Sequence, residues 1–126
     1  MIEAIAKVFR DSEPELNLVS YSEKHDARFQ LLDCDGYRLG NVVFEGVHLL
    51  CVTTRWRSYS EIDAVAVAEL DDAFSWLKET VPEDYLLVSI TPSLNDNDEQ
   101  SPLPNNRKGY IVCRSLTFEG ETLPGR

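Results

Sequence analysis

The chain has 126 residues, 43% of them hydrophobic, which suits one domain built around a single core. Twelve Lys and Arg against 22 Asp and Glu leave a formal net charge of -10 at pH 7. That balance argues against nonspecific binding to DNA, RNA or an anionic membrane, each of which calls for clustered positive charge. Basic proteins, cations and small molecules remain as partner classes.

Glu3 and Lys7 interrupt the apolar residues near the N-terminus, so no secretory signal is expected there. The longest uncharged apolar stretch, Val47 to Thr54, is far too short to span a bilayer. Cys34, Cys51 and Cys113 are odd in number and widely spaced, unlike a disulfide scaffold. The expected compartment is the reducing cytoplasm, with half-buried thiols.

Ile2, Ile5, Ala6 and Phe9 stand at helical spacing, and Pro14 limits any extension. A short amphipathic N-terminal helix is expected. Residues 16–54 read as an antiparallel meander of about four strands, rich in Leu, Val and Phe. Asp33-Cys34-Asp35-Gly36 is its clearest turn, because Asp-Gly tolerates positive φ. Gly40 and Gly46 mark bulges or turns. Val47–Thr54, apolar on both faces, suits a central strand.

From Glu61 to Val81 the period changes. Ile62, Val65, Ala66, Leu70, Ala73, Phe74, Leu77 and Val81 recur at three- and four-residue intervals, a helical stripe that Ser60 would cap and Pro82 end. A rival reading makes Ala64–Ala68 a short strand and keeps the helix only from about Asp72 to Thr80. Tyr85–Thr91 and Tyr110–Phe118 read as the last two strands. The expected fold is α+β: an antiparallel sheet of five to six strands, one longer central helix and a short N-terminal helix. Residues 1–118 would form the domain, with a long polar loop over 92–109 and a flexible tail over 119–126.

The charge is unevenly spread. Between Ser58 and Asn106 stand Glu61, Asp63, Glu69, Asp71, Asp72, Glu79, Glu83, Asp84, Asp96, Asp98 and Glu99, with Lys78 the only base. Those 49 residues carry the whole imbalance, because the other 77 hold 11 acids and 11 bases. A solvated helix face and polar loop would suffice to explain this. The functional alternative is an acidic docking surface for a basic protein.

Other chemistries fit less well. An EF-hand loop starting at Asp96 would need Gly at its sixth position and Glu at its twelfth, where this chain has Ser101 and Arg107. His48 and Cys51 are three apart, so on one strand they face opposite ways, and no C-x-x-C occurs. No metal or other cofactor is expected. The cysteines sit among Leu and Val, poor surroundings for a reactive thiolate. No G-x-S-x-G, P-loop or dinucleotide fingerprint is present. Arg55-Trp56-Arg57 offers Trp56 as an interface anchor, or else as an ordinary core aromatic.

The leading expectation is a small acidic cytoplasmic protein without catalytic activity. It would neutralise a basic partner, as an immunity protein blocks a nuclease-type toxin, using Glu61, Asp63, Glu69, Asp71, Asp72, Asp96, Asp98, Glu99 and Trp56. Neither direct nucleic-acid binding nor membrane binding is expected. One alternative is a phage-type nucleic-acid mimic that inhibits a host defence protein. A second is a small enzyme built on His48 and Cys51, or on Asp33 and Asp35. A third is a subunit or scaffold with an exposed apolar edge strand.

Overall fold

The amphipathic start of the chain forms helix α1 (Ile2–Ser12), which buries Ile5 and Phe9 completely. It ends where Glu13 turns left-handed (φ 43°) and donates its N–H to the Phe9 carbonyl at 2.9 Å, a glycine-like C-terminal cap. This computed structural model describes residues 2–51, 58–71, 74–93 and 108–120. After α1 come β1 (Glu15–Tyr21), β2 (Ala27–Leu32), β3 (Arg38–Glu45), β4 (Leu49–Cys51) and β5 (Tyr59–Ala66). A 3-10 turn (Val67–Glu69), helix α2 (Ser75–Thr80), β6 (Leu86–Pro92), β7 (Gly109–Cys113) and β8 (Ser115–Gly120) follow.

The eight strands make two antiparallel four-stranded sheets, ordered β1-β2-β3-β8 in sheet 1 and β4-β7-β6-β5 in sheet 2. Alternation decides which side chains meet between them. Leu16, Ala27, Phe29, Leu31, Val42 and Phe44 of sheet 1 join Ile62, Val88, Ile90, Ile111 and Cys113 of sheet 2 in one buried cluster. Ile5 and Phe9 belong to the same cluster. Phe29 and Phe44 meet edge to face at 5.7 Å between ring centroids. The layout is a β-sandwich with α1 packed against β5.

Two crossings tie the sheets together. β3 passes through Gly46, Val47 and His48 into β4, while β7 passes through Arg114 into β8. The crossings lie side by side: Arg114 N–H donates to the Glu45 carbonyl at 2.8 Å, and His48 N–H to the Val112 carbonyl at 2.7 Å. Gly46 adopts φ 63° at this corner. β3–β4 and β7–β8 therefore form one long antiparallel ribbon, kinked where it leaves one sheet for the other.

The α+β class holds, and three details differ from expectation. Among the described residues, eight strands in two sheets replace a single sheet of five to six. Val47–Thr54 is not a central strand: only Leu49–Cys51 pairs, at an edge of sheet 2, and residues 52–54 lie outside the described ones. The long helix over Glu61–Val81 is absent as such. Its first part is β5, and α2 keeps six residues. Helical spacing lost because Ile62, Ala64 and Ala66 share a strand face with β6 partners Ile90, Val88 and Leu86, giving the β-branched residues a pleated surface to pack on. The rival reading, a strand followed by a shorter helix, is closer. β8 also runs to Gly120, so Glu119 and Gly120 pair with Asn41 and Gly40.

Candidate functional site

Sheet 2 has an outer face turned away from the main core, and registry fixes its residues. Glu61 lies opposite Thr91, Asp63 opposite Ser89, and Val65 opposite Leu87. Ser89 then pairs with Tyr110 and Leu87 with Val112, which sit opposite Cys51 and Leu49. One end of this face is therefore polar and the other apolar. α2 lies over the apolar end, where Leu77 and Val81 join Val67, Leu87 and Val112 in a second buried cluster.

Six helical residues are too few to cover that end. Between α2 and β4 remains a groove of about 320 Å³, lined by Leu49, Cys51, Phe74, Trp76, Leu87 and Tyr110 among others. Trp76 is 55% exposed and Leu49 39%. Trp76 and Glu79 are three apart and both exposed, so they share the outward side of α2. An open apolar groove with a projecting tryptophan is the surface that interface anchors favour.

The segment that carries α2 is acidic. From Glu69 to Asp84 the sequence carries six acids and Lys78, a net of -5. Val67 N–H donates to the Tyr85 carbonyl at 2.8 Å and Ala68 N–H to the Glu83 carbonyl at 3.3 Å, which lays Glu69 beside Glu83 and Asp84. The Asp71 carbonyl accepts from Phe74 N–H at 3.0 Å, tying that residue to the groove wall. Glu69, Asp71, Glu79, Glu83 and Asp84 are all exposed.

The acids expected on one helix are thus divided. Glu61 and Asp63 lie on β5, roughly 7 Å apart on one face. They share a cleft of about 550 Å³ with Arg10 and Lys108, whose charges offset theirs. Glu69 and Asp71 lie beyond the end of β5, beside α2. Asp72, Asp96, Asp98, Glu99 and Trp56 lie outside the described residues.

The residues proposed for chemistry are also placed. His48 stands at the crossing into β4 and lines a different cavity from Cys51, which lies in the apolar groove. Asp33 shapes the β2–β3 turn: its Oδ1 accepts from Asp35 N–H at 2.9 Å and Tyr37 N–H at 3.0 Å. Asp35 is exposed on that turn. The thiols are not uniformly half-buried, for Cys34 and Cys51 are exposed and Cys113 is buried. Burial, with a smaller contribution from the Glu45 charge, pushes the Cys113 thiol up to about 12. Among the described residues no three His, Cys, Asp or Glu side chains group closely enough to hold a metal ion. None of the described helices is long and apolar enough to cross a membrane. β1 forms an edge of sheet 1 with Leu18, Val19 and Tyr21 exposed.

Sequence reasoning put the anchor at Trp56 and passed over Trp76, which the helical stripe left on the solvent side. The signal was there: Leu77 continues the stripe and Trp76 does not, so a large aromatic had to face outward. Compared with known protein families, curated proteins and solved structures, the chain matches none.

Proposed function

We propose that the protein is a binding module for a basic protein partner, which docks in the α2–β4 groove and is steered there by the neighbouring carboxylates. The observation that carries this reading is the exposed Trp76 over an apolar groove, with Glu79 on the same side of α2 and Asp71 bonded to the groove residue Phe74. An aromatic anchor supplies affinity by burial, whereas rim charges accelerate encounter and reject acidic competitors. Such a protein neutralises its partner by covering a cationic surface and needs no chemistry of its own. Inhibition of a nuclease-type toxin by an immunity protein is the form of this activity that fits best, since a nuclease's substrate groove is cationic.

The test is recovery of the tagged full-length chain from its native cells, with Trp76→Ser and Glu79→Lys variants in parallel. A stoichiometric partner of pI above about 9 is expected, identified by mass spectrometry, retained by the wild type and lost by Trp76→Ser. Its association should slow several-fold between low and physiological salt. A neutral or acidic partner, or a basic one held equally by both variants and insensitive to salt, overturns the reading.

A further inference from the structure

The chain has two histidines, and both line one cleft. This cleft of about 600 Å³ lies where the β3–β4 crossing meets the β1–β2 turn and the far end of α2. Tyr21, Lys24, His25, His48, Tyr85 and Arg114 line it, and no carboxylate does among the described residues. In a chain of charge -10, a cavity walled by Lys, Arg and two His is the inverse of the molecule's average.

The backbone holds these groups in place. Ser22 organises the β1–β2 turn, its Oγ accepting from Lys24 N–H at 3.3 Å and Asp26 N–H at 3.2 Å. His25 occupies the left-handed region at φ 64°. It is fixed there because its N–H donates to the Ser22 carbonyl at 3.0 Å and its carbonyl accepts from Val47 N–H at 2.8 Å. Conformations of this kind are strained in a non-glycine residue and persist where surrounding bonds over-determine them. Asp26 Oδ1 accepts from Gly46 N–H at 3.1 Å, so the nearest carboxylate of the turn is engaged at the corner.

Gly46 also explains how Arg114 is positioned. A Cβ built on Gly46 would lie 3.1 Å from the Arg114 Cβ and 3.8 Å from its guanidinium carbon. The arginine side chain therefore lies directly over the glycine, at the rim of the cleft. On the opposite wall the Tyr21 hydroxyl is 3.3 Å from His25 Nδ1, and the two rings pack edge to face at 6.0 Å. With the hydroxyl donating, the neutral imidazole carries its proton on Nε2, where it can donate to a ligand.

We infer that this cleft binds a phosphorylated small molecule. Its phosphate would be held by Lys24, Arg114 and the two histidines, and its organic part would lie against Tyr21, Tyr85 and Pro82. Guanidinium and ammonium donors make short charge-assisted hydrogen bonds to phosphate oxygens, and the volume suits a small ligand rather than a polymer. The site is separate from the α2–β4 groove, so it stands or falls independently of the docking partner.

The experiment is titration of the full-length protein with phenyl phosphate at constant pH, followed by the ring proton resonances of the two histidines. Saturable shifts of both are expected, with inorganic phosphate producing the same shifts at higher concentration. Arg114→Gln and Lys24→Gln, both at exposed positions, should each weaken binding roughly tenfold or more. Trp76→Ser should leave the titration unchanged. Absence of saturation overturns the inference, as does binding unaffected by both charge substitutions. Benzoate binding as tightly as phenyl phosphate overturns the assignment to phosphate.

Discussion

Replacing Gly40 by alanine should loosen the C-terminal end of β8 from sheet 1. Gly40 sits at a bulge in β3, where the register slips so that Leu31 faces Gly40 and Leu32 faces Arg38. Its φ of 142° is open to glycine and rarely to other residues. A Cβ there would stand 2.5 Å from the Glu119 carbonyl oxygen and 3.0 Å from the Gly120 Cα. Both obstacles are backbone, so neither can swing aside as a side chain would. Strained φ contributes about 1–3 kcal/mol. Losing pairing at Gly40↔Gly120 and Asn41↔Glu119 adds about 0.5–1.5 kcal/mol for each hydrogen bond. With two such bonds lost, a total of roughly 2–6 kcal/mol follows, a large share of the stability of a domain this size. Urea unfolding gives the total, and hydrogen exchange of the amides over Ser115–Gly120 locates it. A loss below about 1 kcal/mol, with β8 amides as protected as in the wild type, would refute the packing argument.

Further outcomes rest on packing, turn hydrogen bonds and thiol burial. Leu77→Ala should destabilise by roughly 2–4 kcal/mol in urea melts, because this 1% exposed side chain pins α2 over Leu87 and Val112. Asp33→Ala removes the acceptor of two turn amides and should cost about 1–2 kcal/mol, measured the same way. Cys34 and Cys51 should label rapidly with a thiol reagent at pH 8, while Cys113 reacts only as the protein unfolds. The Cys113 thiol is raised in the folded state, so its neutral form favours folding fully below the ordinary value of 9.0. That contribution should fall as pH rises from 9 towards about 12, and a Cys113→Ala variant should lose less stability over that window.

Some elements could be read directly because one cause dominated. The α1 stripe of Ile2, Ile5, Ala6 and Phe9 had no competitor, and the Asp33–Gly36 turn follows from the chemistry of Asp and Gly alone. β5 was obscured because sheet 2 is covered on both sides near Ala64–Val67. Ala64 packs on the main core and Val67, just past the strand, on Leu77 of α2, so apolar residues stop alternating there. The kink at Arg114 was hidden for another reason: Cys113-Arg114-Ser115 contains no glycine or proline. The sandwich itself bends the ribbon there, and a single long strand over Tyr110–Phe118 became two. The cationic cleft was illegible because Lys24, His48, Tyr85 and Arg114 come from four separate segments. Charge counting along the chain found the acids because they are neighbours in sequence. It missed the bases because they are neighbours only in space.

The kinked ribbon also governs how the chain reaches this state. Glu45 pairs with Ser115, 70 positions further along the chain, and sheet 1 has no fourth strand until that pairing forms. A loop this long closes against an entropic penalty before any contact within it rewards the closure, which places the domain among slow-folding, high-contact-order topologies. Until then β3 is an open edge that carries Val42 and Phe44, a surface open to pairing with another chain. Its refolding yield should therefore fall with protein concentration more steeply than its equilibrium stability suggests.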